Sequence, residues 1–169
     1  RHSMEMAVVQ LGGHPAYISG NEVGLDQRES VEDVTRTLAG YYGVVGARVF
    51  DHDTVARMAA LDVVPVINLL SDRSHPMQAL ADVLTLRQEW GALSGRTVAY
   101  VGDGNNVCRS LALAAALCGM ELRVASPPGY GLSDTDAARV SALGGSLVRT
   151  DDPYEAVRGA DAVYTDVWV

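Results

Sequence analysis

Short apolar runs and amphipathic stretches take turns along the whole chain, and no other feature restricts its fold so tightly. Residues 44–50, 64–69, 98–101, 122–125, 146–149 and 162–165 read as strands, with a shorter one expected at 16–18. Helices are expected at 2–11, from Ser30, from Asp53, at 76–89, at 107–118, from Ser133 and at 153–158, and residues 20–29 read as a polar loop. Ser30-Val31-Glu32-Asp33 resembles a capping box with Asp in the last place. Val31, Val34 and Leu38 follow it at helical spacing. Asp53 is the expected cap of the next helix, whose buried face would be Val55, Met58 and Ala59. Pro65 suits the start of a strand and Pro76 the first turn of a helix, because neither place needs its missing N–H. Strict strand–helix alternation implies parallel sheets covered by helices on both faces, an α/β class. A turn-rich break near 91–96 divides it into two doubly wound lobes, residues 1–90 and 91–169, joined by the long helix 76–89.

In such folds ligands lie beyond the carboxyl ends of the strands. Chemistry is therefore expected in the loops after residues 50, 70, 102, 126 and 166. After residue 70 comes Ser71-Asp72-Arg73-Ser74-His75-Pro76-Met77-Gln78, running into Ala79-Leu80-Ala81-Asp82. Met77, Leu80, Ala81 and Leu84 form one apolar stripe. Gln78 and Asp82 lie on a neighbouring polar stripe, with His75 at the helix start. An imidazole and a carboxamide there suit an anion or a polarised carbonyl, since free N–H groups and the macrodipole add positive potential. On spacing alone, the plainer reading of His75 is a helix-capping surface residue.

Val101-Gly102-Asp103-Gly104-Asn105-Asn106 is a strand running into a glycine-rich turn. A dinucleotide fingerprint would need a third glycine where Val107 stands, and an acidic residue after the next strand, which ends Ala125-Ser126. The consecutive asparagines offer NH₂ donors to a carboxylate, or serve only as turn residues. Arg48 falls near the end of an expected buried strand, where a cation demands a carboxylate or an anionic ligand. Asp166 poses the opposite problem at the last strand end, where it could hold an ammonium.

Charge narrows the partners. Thirteen Lys and Arg against 21 Asp and Glu give a formal net charge of -8. Nucleic acid and acidic membranes both need a basic patch, so neither is an expected partner. A small anion needs only a few local cations. The longest stretch free of charged residues, 6–21, contains Gly12, Gly13, Pro15 and Gly20 and cannot span a membrane. Cys108 and Cys118 sit ten residues apart on one expected helix, pointing to different faces. A disulfide between them is implausible, a reducing cytoplasm fits, and no Cys/His cluster suggests a metal. Both ends fall inside expected regular elements, which suggests an excerpt of a longer protein.

Four segments together resemble the transcarbamylase family: Gln10-Leu11-Gly12-Gly13-His14, His75 through Asp82, Gly102 through Asn106, and Thr165-Asp166-Val167-Trp168. The resemblance covers the whole chain in the family's order. It implies two partial α/β lobes, carbamoyl phosphate on the first and L-ornithine on the second. It further implies a homotrimer with sites near subunit interfaces, no metal and no cofactor. By that resemblance Arg48, His75 and Gln78 meet carbamoyl phosphate, with Arg48 and His75 also catalytic. Asn106 meets the amino acid's carboxylate and Asp166 its α-ammonium. The implied reaction gives citrulline and phosphate, in arginine synthesis or its degradation.

The resemblance also implies loops beyond this chain: Ser-Thr-Arg-Thr before Arg1, Ser-Met-Gly after Val169, and a later His-Cys-Leu-Pro. Without them these 169 residues alone are expected to be inactive. Gly24-Leu25-Asp26 departs from the family pattern, which weakens any carbamoyl phosphate contact expected from that loop. Two other readings compete: a transcarbamylase for another amine such as putrescine, and a non-catalytic protein on the same fold. The Asn106 and Asp166 pair favours an α-amino acid, because putrescine has no carboxylate.

Overall fold

A computed structural model describes residues 2–167. The chain divides into two compact units: the residues up to Val45 together with Arg57–Pro65, and Gly46–Ala56 together with the residues from Val66 onward.

The first unit carries α1 (His2–Gln10), α2 (Gly20–Val23) and α3 (Val31–Ala39). Residues 16–18, expected as a strand, are not one. Pro15 beside them has no N–H to give a ladder, and three residues are a short run. The expected loop at 20–29 instead opens with α2, because Ser19 N–H donates to Glu22 Oε2 at 2.8 Å. Gly24 ends that helix with φ 62°, a left-handed conformation that favours glycine. Ser30 Oγ accepts the Asp33 N–H at 3.0 Å and starts α3 as expected. Val31 and Thr35 are its fully buried residues, with Val34 and Leu38 half-buried. Arg57 grips Glu32 through two nitrogens, at 2.7 and 2.8 Å, and reaches Asp26 at 3.2 Å. The departing Gly24-Leu25-Asp26 segment is thus fastened by Asp26 to an internal arginine.

Two short strands, β1 (Val45–Arg48) and β2 (Val66–Leu70), pair with each other. Between them runs α4 (His52–Ala60). Its cap is Asp51 rather than Asp53: Asp51 Oδ1 accepts the Asp53 N–H at 2.9 Å. Val55 and Met58 are buried as expected, but Ala59 is exposed.

The second unit continues with α5 (Pro76–Trp90), β3 (Thr97–Val101), α6 (Asn106–Leu117), β4 (Glu121–Ala125), α7 (Asp134–Ala142), β5 (Ser146–Thr150), α8 (Pro153–Val157) and β6 (Ala162–Tyr164). Four strands form one sheet in the order β5-β4-β3-β6, every pair parallel. Strand alternation sends Val98 and Tyr100 to one face and Ala99 and Val101 to the other. The first face packs on Leu111, Ala115, Met120 and Val140, and the second on Ala156 and Val157 of α8. The sheet is therefore doubly wound, as the alternation implied.

The apolar stripe of α5 is not the face that packs. Leu80 and Leu84 are 60% and 55% exposed and Ala81 is exposed. The helix packs instead through buried Ala79 and half-buried Val83, Leu86 and Trp90. That row is apolar at helical spacing too, so periodicity alone could not choose between them. No described helix is long and apolar enough to cross a membrane. Both cysteines are free, and Cys108 is fully buried.

Candidate active site

The strand order fixes where a ligand can enter. From β3 the chain winds outward through β4 to β5, then returns by α8 to place β6 on the other side of β3. The chain leaves β3 and β6 at the same, carboxyl, edge of the sheet, where ligands of such folds bind. A cavity of about 440 Å³ lies there, lined by Leu70, His75, Gln78, Asn106, Val107, Tyr164 and Asp166. Its size is typical of small-ligand sites.

Each polar group in it is set by local structure. His75 is the N-cap of α5, and its Nδ1 accepts the Gln78 N–H at 3.4 Å. Its own N–H donates to Ser110 Oγ at 2.8 Å. An imidazole that accepts at Nδ1 carries its proton on Nε2 when neutral, so the ring offers a donor. Burial lowers the affinity of His75 for a second proton, and the charge of Arg48 lowers it further, against Asp166 and Asp82. A neutral Nε2–H donor is the result, suited to a carbonyl oxygen.

Asn105, not Asn106, caps α6: its Oδ1 accepts from Val107 N–H at 3.0 Å and Cys108 N–H at 3.1 Å. Its Nδ2 donates to Asp166 Oδ2 at 2.9 Å, which ties the loop after β3 to the one after β6. Asn106 begins the helix proper and donates from Nδ2 to the Ser71 carbonyl at 2.6 Å. That bond uses one of its two N–H groups, and a carboxamide has a second to donate. Ser71 is fully buried, and His52 Nδ1 lies 2.8 Å from its hydroxyl.

Gly104 lets these turns approach. Its N–H donates to the Tyr130 carbonyl at 2.6 Å, and a Cβ there would sit 2.5 Å from Leu132 N. Arg109 on α6 pairs with Asp136 at 2.9 Å and donates to the Arg73 carbonyl at 3.0 Å, bracing the loop that leads to His75. Burial pushes the Asp136 carboxyl up, but bonds from Ser133 and Arg109 outweigh it and hold it low.

Four of the five residues singled out in the sequence, His75, Gln78, Asn106 and Asp166, line this one cavity. All four are half-buried. Arg48 does not line it, and the reason given for it needs correction. The strand ending at Arg48 has a single partner, and Arg48 is exposed rather than buried. Solvent can meet its charge, so burial does not oblige it to bind an anion. It still lies within electrostatic range of His75.

Sequence reasoning missed Asn105, which carries both the helix cap and the bond to Asp166. It also missed Tyr164, whose ring stacks on Tyr100 with centroids 5.6 Å apart. Period-two spacing from Asp166 was the available signal for Tyr164. Arg1, Trp168 and Val169, which figured in the expected end elements and motifs, lie outside the described residues. Among the described residues no cluster of three metal-ligating side chains occurs.

Capped helix starts and the Asp166 carboxylate, gathered at the carboxyl ends of a parallel sheet, define an α/β protein with a crevice of small-ligand size. Residues 1–88 match the carbamoyl phosphate-binding domain, and 94–169 the aspartate/ornithine-binding domain, of the aspartate/ornithine carbamoyltransferases. The chain belongs to that family. An ornithine carbamoyltransferase of Thermus thermophilus is 48% identical over 168 residues, covering 99% of this chain and 54% of that protein. One from Methanosarcina mazei is 44% identical, covering 100% and 56%. The crystal structure of an ornithine carbamoyltransferase from Thermus thermophilus superposes with a TM-score of 0.92 at 47% identity, covering all of this chain and 57% of that one. The enzyme from Pyrococcus furiosus gives 0.95 at 42%, covering all of this chain and 55% of that one. The chain thus spans about half the length of the curated relatives it matches.

Proposed function

We propose that this chain serves carbamoyl transfer from carbamoyl phosphate to the δ-amine of L-ornithine, giving L-citrulline and phosphate. The observation that carries the reading is the single cavity that gathers His75, Gln78, Asn106 and Asp166, in a family whose relatives bear that activity in their names. The neutral amine attacks the carbamoyl carbon, a C–N bond forms, the bond to the phosphate oxygen breaks, and phosphate takes the amine's proton. His75 Nε2–H donates to the carbonyl oxygen as charge develops on it, and Arg48 adds positive potential. A donor so placed is worth about 3–4 kcal/mol. Holding both substrates in line adds about 7–11 kcal/mol. Gln78 meets the carbamoyl NH₂. Asn106 and Asp166 hold the carboxylate and α-ammonium of ornithine, a pairing putrescine cannot use.

We place the boundary between a carbamoyl phosphate domain and an ornithine domain at residues 90 and 91, with 76–89 as the bridge. The family matches at 1–88 and 94–169 support it. We also propose a cytoplasmic homotrimer. Two free cysteines fit a reducing compartment. Met6 and Val9 on α1 are about half exposed and Leu11 beyond it is 89% exposed, apolar surface of the kind an oligomer covers.

The test is a citrulline assay on the full-length protein, with ornithine, putrescine and aspartate as acceptors. Ornithine is expected to give the highest kcat/KM. Faster carbamoylation of putrescine, or no transfer to any amine, would sink the reading. Sedimentation of the same sample checks for a trimer.

A further inference from the structure

Gln78 Nε2 donates to Asp82 Oδ1 at 2.9 Å, one helical turn along α5. An ionised carboxylate can only accept, so this bond settles which way the carboxamide faces: Nε2 toward Asp82, with Oε1 as the acceptor on its other side. The other Asp82 oxygen, Oδ2, is buried with no close hydrogen bond of its own among the described residues, and the Tyr164 phenol interacts with the same carboxylate. Tyr164 stands beside both side chains, and burial together with the Asp82 charge pushes its phenol up to about 12. A buried carboxylate met only by a carboxamide and a phenol, with no cation against it among the described residues, is costly, so stability alone explains Asp82 poorly.

We propose that Asp82 is a positioning residue that locks the Gln78 carboxamide with its oxygen toward the ligand, so that the site selects a carbamoyl NH₂ over a methyl group of the same size. The inference rests on the carbamoyl phosphate reading above. It makes Gln78 a reader of hydrogen-bond polarity rather than merely a polar contact. With Asp82 changed to asparagine, position 82 can donate, and the carboxamide is free to turn its NH₂ toward the ligand's NH₂. Two donors then face each other. Acetyl phosphate, which has a methyl group in that place, is indifferent to the flip.

The experiment compares binding of carbamoyl phosphate and acetyl phosphate to the full-length protein by calorimetry. Wild type is expected to prefer carbamoyl phosphate, and Asp82→Asn to lower that preference about tenfold or more while acetyl phosphate binds nearly as before. In a Gln78→Met background Asp82→Asn should change the preference no further. An unchanged preference in folded Asp82→Asn overturns the inference, as does an equal loss for both ligands, the mark of general loosening. A wild type that fails to bind carbamoyl phosphate overturns the proposed function, and this inference with it. Should Asp82→Asn not fold, neutron diffraction from wild-type crystals decides: deuterium on the Gln78 atom facing Asp82 supports the lock, and the reverse orientation refutes it.

Discussion

Replacing Gly104 with alanine tests whether the approach of two turns positions the site. The new Cβ would lie 2.5 Å from Leu132 N and 2.6 Å from the Gly131 carbonyl carbon, where ordinary contact begins near 3.4 Å. Both are backbone atoms, so no side chain can swing aside, and the segments must part by nearly an ångström. Overpacking of this kind costs about 1–3 kcal/mol. The same movement breaks the 2.6 Å bond from Gly104 N–H to the Tyr130 carbonyl, which brings the expected loss to about 2–4 kcal/mol. Gly104 immediately precedes Asn105 and Asn106, so the shift carries into the cavity, and misplacement by about 1 Å can cost about a hundredfold in rate. Gly145→Ala is the control. Its Cβ would collide with Ala116, also beyond what the fold tolerates, but at the amino end of β5, away from the site. Urea unfolding and steady-state citrulline formation on the full-length protein separate the two. Comparable losses of stability are expected, with the large loss of turnover confined to Gly104→Ala. Normal turnover in Gly104→Ala, or an equal loss in Gly145→Ala, would refute the reasoning.

Other perturbations probe charges and caps. Arg48→Ala removes a charge that helps keep His75 neutral, so the His75 titration followed by NMR in the full-length protein should move up toward 6.5. An unmoved titration would show that the two do not sense each other. Glu32 is held down to about 2, first by its bond to Arg57, against an ordinary 4.5. Because its folded value is depressed, its contribution to stability is complete above 4.5 and fades as pH falls toward 2. Arg57→Ala should flatten acid unfolding in that window and return the Glu32 titration to its ordinary place. Ser133→Ala removes a cap that accepts the Asp136 N–H at 3.1 Å and donates to Asp136 Oδ2 at 2.7 Å. About 1 kcal/mol of stability should be lost in urea unfolding, with the Asp136 titration rising.

The fold of the second unit was legible because its strands are continuous apolar runs and its helices begin with strong signals. Ser133, Pro76 and Pro153 all start helices where the sequence suggests. What failed were choices that local pattern leaves open. Asp51 and Asp53 are equally good caps by chemistry, and only the chain's path decides for Asp51. On α5 two apolar rows share the helix, and the one that packs is chosen by what lies against it. Arg48 was misjudged because the burial of a strand depends on how many neighbours it gains, which no single segment records. His75, Gln78, Asn106 and Asp166 stood out because each is a polar residue at a strand exit or helix start. Asn105 hid beside Asn106, since adjacent identical residues do not announce which one turns inward.

The order of strands also bears on when the cavity comes into being. Pairing of β3 with β6, Val98 beside Ala162 and Tyr100 beside Tyr164, joins residues far apart along the chain. Closing so long a loop is a slow, entropically costly contact. Tyr164 and Asp166 arrive with β6, so a chain still lacking that strand has half a cavity and no grip on an amino acid. Once β6 is docked, any ligand spanning Asn106 and Asp166 bridges the two strand ends and opposes their separation. Ligand occupancy and the integrity of this sheet edge are then linked quantities, and hydrogen exchange at β6 would report the one through the other.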